Sequence, residues 1–112
     1  MTPVSVVRRV PADLPLSKIQ SDGEHWQFSR IPVVDARNPE MVVGLVERRH
    51  VFQNLIEKKS DLVMQDVMSS PIFVLENLPA HELFQLFIKS RKHLFCVTSA
   101  DKKWIGVVSL EH

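Results

Sequence analysis

The sequence has little of several features that mark common kinds of site. Its 112 residues include three glycines, one cysteine and no tyrosine. With glycines only at positions 23, 44 and 106, the chain has no glycine-rich loop that would hold a phosphate. The single Cys96 excludes an internal disulfide, and its setting in "HLFCVTS" predicts a buried, unreactive thiol.

An excess of one charge and long apolar runs are also missing. Lys and Arg number 14 against 13 Asp and Glu, so the net charge is +1. This balance gives no reason to expect nucleic acid or a membrane surface as the main partner. No apolar stretch approaches the roughly 18 residues that span a bilayer. With 45% hydrophobic and 24% charged residues, the composition predicts a soluble globular domain.

No set of side chains in the sequence indicates catalysis or a metal site. The five histidines are scattered, without the spacing of zinc ligands. Ser109 and His112 have the spacing of a nucleophile and its base, but no third group orients the histidine, and a helix N-cap explains the serine. We therefore expect no enzymatic activity and no metal site.

What the sequence does contain is a repeat. "MTPVSVV" from Met1 returns as "MSSPIFVL" from Met68, and three further pairs follow in the same order. They are "LPLSKI" with "LPAHEL", "RIPVVD" with "HLFCVT", and "VVGLVERRH" with "WIGVVSLEH". Four similarities in matching order predict two copies of one unit, residues 1–60 and 61–112.

Each copy is predicted to run strand, helix, strand, strand, helix. "VSVV" and "IFVL" are short, rich in β-branched or aromatic residues and preceded by proline, which predicts strands. Pro79 opens a segment with helical apolar spacing, whereas the counterpart around Leu16–Gln20 is expected to be shorter because "SDGEHW" follows it.

Two hairpins follow, since "DARNPE" and "TSADKK" are turn-forming loops between apolar runs. The runs are continuous, which predicts strands covered on both faces. After Val46 the spacing becomes helical, and after Val108 "SLEH" predicts the first turn of an equivalent helix with Ser109 as its N-cap. The predicted fold class is α/β, with two pseudo-symmetric halves in one compact module.

Both ends of the chain fall at repeat positions. Met1 stands at the position of Met68, and the second copy stops one turn into its last helix. We therefore expect a fragment of a larger protein. The final "LEH" also matches the start of a vector-encoded polyhistidine tail, although its agreement with the repeat favours native sequence.

The doubled unit resembles a tandem pair of cystathionine-beta-synthase-type (CBS) domains. The residues that carry the resemblance are "MTP", "FSRIPVVD", "VVGLVERRHVF" and "GVVSLEH", and together they represent nearly the whole chain. More narrowly, they are similar to the CBS pair of the CorC/HlyC-like family. In that family the pair lies between a membrane-embedded transport domain and a small C-terminal domain.

The resemblance implies a regulatory module at the cytoplasmic face of the inner membrane. It implies a homodimer formed by side-by-side packing of two pairs, with the transport and C-terminal domains of the parent chain as further partners. It also implies clefts that take AMP, or ATP with magnesium, and a link to magnesium and cobalt transport. The alternative function is a structural dimerisation module whose clefts hold no ligand.

The nucleotide-binding motif of the family is Gly, two apolar residues, Ser or Thr, two variable residues and Asp, at a strand-to-helix junction. There the hydroxyl and the free helix N–H groups meet phosphate, and the carboxylate accepts hydrogen bonds from the ribose. The site residues that the resemblance implies are Gly44 and His50 in the first copy, and Gly106, Ser109 and His112 in the second. Arg48 joins the first set as a cation in the first helical turn, where an anionic ligand would offset its repulsion from the helix dipole.

Both copies depart from that motif. Glu47 replaces the hydroxyl in the first copy, and a carboxylate repels phosphate. His50 and His112 replace the aspartate, and a neutral imidazole accepts fewer hydrogen bonds than a carboxylate. Ser109 keeps the hydroxyl.

Two further features have open interpretations. Arg48 and Arg49 lie in a first helical turn, where the dipole disfavours cations unless an anionic ligand is present; the alternative is a solvated basic turn. Trp26 and Trp104 either stack on adenine or pack in the core or an interface.

Overall fold

The computed structural model describes residues 1–19, 29–59, 61–91 and 93–109. In chain order its elements are β1 Thr2–Pro3, a 3-10 turn Val4–Val6, β2 Val10–Pro11, α1 Leu16–Ile19, β3 Arg30–Val34, β4 Val42–Glu47, α2 Arg48–Ile56, α3 Met64–Val67, β5 Phe73–Leu75, α4 Ala80–Ser90, β6 Leu94–Thr98 and β7 Trp104–Ser109. The chain divides into two compact units. The middle unit is Arg8–Pro71, and the terminal unit joins Met1–Val7 to the residues from Ile72 onward.

The middle unit contains a three-stranded sheet in the order β2-β3-β4. β2 pairs with β3 in parallel, and β3 pairs with β4 as an antiparallel hairpin. Apolar residues from the sheet and from all three helices form its core. The buried members include Val10, Leu16, Ile19, Ile31, Val33, Val46, Val51 and Met64.

The terminal unit contains a four-stranded sheet in the order β1-β7-β6-β5. β5 is parallel to β6, β6 and β7 form an antiparallel hairpin, and β1 pairs with the outer edge of β7. α4 buries Phe87, whose ring stacks on that of Phe95 with centroids 4.2 Å apart. Val74 and Val97 complete this core.

The two hairpins match in detail, which confirms the predicted pseudo-symmetry. Val33 pairs with Gly44 in one hairpin, and Val97 pairs with Gly106 in the other. A register shift follows immediately in both, between Val33 and Val34 and after Val97. The strands are largely buried on both faces, as their continuous apolar runs predict.

The prediction of a strand over "VSVV" is wrong. Val4–Val6 form a 3-10 turn, and the strands of this region are β1 before it and β2 after it. The physical reason is burial: Val6 is 63% exposed, whereas Val10 is fully buried and pairs with Val33. The strand predicted over "IFVL" is confirmed as β5.

The helix predicted after Pro79 is confirmed as α4, and its C-cap residue Arg91 has the left-handed conformation with φ 59°. The helix predicted after β4 is confirmed as α2. α1 is short, as expected, but "SDGEHW" and the helix predicted after Ser109 lie outside the described residues. Among the residues that are described, no helix is long and apolar enough to cross a membrane.

Candidate functional site

The first candidate site is the junction at which β4 passes directly into α2. Glu47 is the last strand residue and has an extended backbone, with φ −99° and ψ 135°. Its carboxylate accepts a hydrogen bond from Arg49 Nε at 3.1 Å and does not cap the helix. The first turn of α2, which is described in full, carries no acidic side chain. The positive end of the helix dipole therefore coincides with a basic turn.

The backbone of this turn is partly engaged. The Arg48 N–H donates to the carbonyl of Ser29 at 2.8 Å, so this helix donor is already satisfied. The His50 carbonyl accepts a bond from Asn54 Nδ2 at 2.8 Å. The side chain of Arg49 is 88% exposed, and His50 is also exposed. The side chains of Arg49 and His50 at the N-terminus of α2 are therefore accessible to an anionic ligand in solution.

Gly44 lies on β4 where another segment crosses the strand. The Ser69 N–H donates to the Leu45 carbonyl at 2.8 Å, and the Leu45 N–H donates to the Ser69 carbonyl at 2.9 Å. A β-carbon at Gly44 would lie 2.8 Å from Met68 Cγ and 2.9 Å from the Ser69 carbonyl oxygen. Glycine is therefore required here for backbone approach.

Gly106 lies on β7 at the equivalent crossing of the terminal unit. There β1 pairs with β7 through Thr2 opposite Val107 and Pro3 opposite Gly106. A β-carbon at Gly106 would lie 3.1 Å from Met1 Cγ and would collide with the Thr2 carbonyl oxygen. The repeated "MTP" and "MSSP" segments thus have one structural role, which is to cross the glycine of the strand that precedes each candidate site.

The structure places the predicted site residues in two groups. Gly44, Arg48 and His50 lie together along the β4–α2 junction. Gly106 and Ser109 lie on β7, with Ser109 exposed at its last position. His112 lies outside the described residues, and the N-cap role of Ser109 stays a prediction.

Sequence reasoning missed the segments that cross the two glycines. Met68 and Ser69 in the middle unit, and Met1 and Thr2 in the terminal unit, contact Gly44 and Gly106. The signal was present, because both segments begin with Met and a hydroxyl residue. Without a structure, nothing in that signal identifies the strand that each segment crosses.

Trp104 is part of the fold and is only 5% exposed. Its indole Nε1 donates to the Gly106 carbonyl at 2.8 Å, which fixes the backbone at that crossing. The packing interpretation therefore holds for Trp104, whereas Trp26 lies outside the described residues.

Cys96 is fully buried, and desolvation raises the pKa of its thiol to about 12. The predicted burial of Cys96 is thereby confirmed. Within the described ranges no group of three or more His, Cys, Asp or Glu side chains is arranged to hold a metal ion.

Comparison with curated proteins finds two relatives, and a scan against models of protein families finds no match. The UPF0053 protein MG146 homolog of Mycoplasma pneumoniae is 30% identical over 97 residues, which cover 87% of this chain and 23% of that protein. The UPF0053 protein MG146 of Mycoplasma genitalium is 28% identical over 85 residues, which cover 76% and 20%. The chain therefore spans less than a quarter of the length of these relatives.

Solved structures share the fold of nearly the whole chain. The CBS domain of a bacterial CNNM/CorC family Mg²⁺ transporter in complex with ATP has a TM-score of 0.89 and 21% identity, covering 99% of this chain and 78% of that one. A hemolysin-like protein containing a CBS domain from Oenococcus oeni has a TM-score of 0.86 and 15% identity, covering 97% and 79%. CBSX2 in complex with AMP has a TM-score of 0.77 and 22% identity, covering 98% and 86%.

Proposed function

Since the chain is a tandem CBS-domain pair of the CorC/HlyC-like type, we propose that it is a regulatory module, not an enzyme, that senses adenine nucleotides. The parent protein would be a membrane protein linked to divalent cation transport, chiefly of magnesium. In that protein the module would lie at the cytoplasmic face of the membrane and respond to nucleotide by favouring one of two conformations.

The observation that carries this proposal is the basic first turn of α2 beside the crossing at Gly44. Arg48 and Arg49 lie at the N-terminus of α2, where the positive end of the helix dipole disfavours cations. A bound phosphate would offset this unfavourable interaction, because its negative charge attracts both arginines. His50, one residue further on, would bond a ribose hydroxyl through its imidazole. Among the solved relatives, one CBS domain holds ATP and another protein holds AMP, which supports the same ligand class here.

The second site would use the end of β7. The Ser109 hydroxyl would donate to a phosphate oxygen, and His112 would bond the ribose. This site keeps the hydroxyl of the family motif, whereas the first site has Glu47 in its place. We therefore propose that the Ser109 site binds nucleotide more tightly than the Arg48 site.

Thermal unfolding with and without millimolar AMP, ATP and ATP with magnesium tests the proposal. Nucleotide at a hundred times its dissociation constant adds about 2.7 kcal/mol to the free energy of unfolding, which raises the midpoint visibly. Arg48→Ala and Ser109→Ala should each reduce the shift. Arg37→Ala and Lys103→Ala, which alter exposed residues in the turns of the two hairpins, at the opposite ends of β4 and β7 from the junctions, should not.

A second candidate function is a structural dimerisation module without a ligand. The observation that favours it is the exposed apolar face of α4, where Phe84 is 56% and Ile88 is 65% exposed one turn apart. This candidate predicts a constitutive homodimer and an unfolding midpoint that no nucleotide changes. The absence of a shift with all three ligands would contradict nucleotide sensing and favour this function.

A further inference from the structure

The segment Met1–Pro3 lies across β7 at the base of the Ser109 site. We propose that β1 is a detachable strap: while it is docked on β7, the Ser109 end of that strand is ordered for ligand, and when it is released, affinity falls. The ligand in this inference rests on the proposed function, but the detachment of the strap does not.

The register of the sheet identifies the bonds that hold the strap. The Cys96 N–H donates to the Ile72 carbonyl at 2.8 Å, on the β5 side of β6. Cys96 is paired with Val107, so the N–H and carbonyl of Val107 point to the opposite edge, where Thr2 is its partner. Pro3, opposite Gly106, has no N–H to donate. Thr2 and Val107 therefore provide the main backbone pairing of the strap.

The strap has little burial to hold it in place. Within Met1–Val7, all of which the structure describes, no residue is buried, and Met1 is 69% exposed. A two-residue strand that buries no side chain gains little hydrophobic stabilisation. We infer that the strap opens at the low end of the range of local opening free energies found in proteins.

The equivalent segment of the middle unit is held more firmly. Met68 is partly buried against the core, whereas Met1 is largely exposed. It follows α3, in which Met64 is fully buried. The two units thus contain the same crossing, but the Met68–Ser69 segment is a fixed part of the fold, whereas β1 is weakly held.

Release of the strap would leave Gly106 and Val107 without their edge partner, two to three residues before Ser109. Because a ligand that binds only the docked state must also stabilise docking, nucleotide and strap are thermodynamically linked. A strap with an opening free energy near zero is docked about half of the time, so locking it would strengthen nucleotide binding about twofold.

Residue-resolved amide exchange by NMR tests the strap without any ligand. We expect the Val107 amide, which faces β1, to exchange at least about a hundredfold faster than the Val108 amide, whose partner Phe95 lies in β6. Saturating AMP or ATP should slow exchange at Val107, because bound nucleotide keeps the strap docked. Equal, slow exchange at Val107 and Val108 without ligand would overturn the strap.

A reversible disulfide tests the link to binding. Thr2→Cys with Val107→Cys joins a cross-strand pair about 5.5 Å apart between α-carbons, within the range of disulfides. Cys96→Ala must be included, because Cys96 is the other partner of Val107. The matched control, Thr2→Cys with Cys96→Ala, contains one cysteine and cannot form an internal bridge.

Nucleotide affinity by calorimetry should be about twofold higher for the oxidised than for the reduced double-cysteine protein, and should not depend on redox state in the control. Equal affinity in both redox states, with fast Val107 exchange, would overturn the regulatory role. No binding in either state would contradict nucleotide sensing and the ligand link together, while the exchange result would still decide whether the strap detaches.

Discussion

Gly44 and Gly106 are the positions at which a single added methyl group has the clearest consequence. A β-carbon at Gly44 would press on Met68 Cγ at 2.8 Å and on the Ser69 carbonyl at 2.9 Å. We expect Gly44→Ala to lower the free energy of unfolding by about 1–3 kcal/mol, the usual cost of overpacking. Gly106→Ala should cost less, because the weakly held β1 can move away.

Urea denaturation of both variants measures this difference. Met41→Ala is a suitable control, since Met41 is 51% exposed beside β4. An equal or larger loss for Gly106→Ala would contradict the difference in anchorage between the two crossings.

The thiol of Cys96 gives a pH-dependent prediction. Burial raises its pKa from 9.0 to about 12. Between these values the folded protein keeps a proton that the unfolded chain releases, so the free energy of unfolding should fall as pH rises from 9 towards 12. Below pH 9 this group should contribute no pH dependence.

Urea midpoints measured across this pH range, compared with those of Cys96→Ala, isolate the effect. Without the thiol, the free energy of unfolding should fall less between pH 9 and 12 than it does in the unaltered protein. Identical alkaline slopes for the two proteins would contradict it.

The properties of single residues were predicted where they depend on nearby sequence. Cys96 lies in a continuous apolar run, and that run alone predicts burial. The role of Gly44 and Gly106 was only half predicted, because the family motif identifies the positions and not the crossing segments. Those segments are distant in sequence, and local pattern carries no information on which backbone approaches a glycine.

Strands and helices were predicted well where their pattern agrees with their burial. The hairpins and α4 follow from continuous runs and from helical spacing after a proline. "VSVV" has the composition of a strand, but the segment lies exposed on the surface and forms a turn. Composition alone cannot distinguish a buried strand from an exposed turn with the same residues. α3 was not anticipated, since a four-residue helix has too few residues to show a period.

The exposed face of α4 makes a prediction about self-association. If two copies pair through this face, Phe84→Glu should shift the protein towards monomer, because it places a charge where apolar area would be buried. Gln85→Glu adds the same charge at an exposed neighbouring position and should leave the oligomeric state unchanged. Sedimentation velocity of both variants and the unaltered protein over a range of concentrations measures the outcome. A monomer in all three would exclude dimerisation through α4.

The compact units and the sequence copies do not share boundaries. The repeat predicts division at residues 60 and 61, and this division stays a prediction about the duplicated sequence. The packing divides the chain at Arg8 and Pro71 instead, with β1 in the terminal unit. Self-similarity reports which segments are equivalent, whereas packing reports which segments contact each other, and a crossing segment can leave its own copy.

Two fragments separate these boundaries experimentally. Fragment 8–71 retains the middle unit, including α3 with its buried Met64, and should unfold cooperatively in urea although a domain of roughly 60 residues is marginal. Fragment 1–60 lacks Leu62, whose carbonyl accepts the Leu16 N–H at 2.9 Å, and Met64, which donates to the Leu14 carbonyl at 2.9 Å. These lost contacts should leave it without a cooperative transition. Circular dichroism of both fragments measures this, and a cooperative transition in 1–60 alone would show that the sequence copy, not the packed unit, is the independent folding unit.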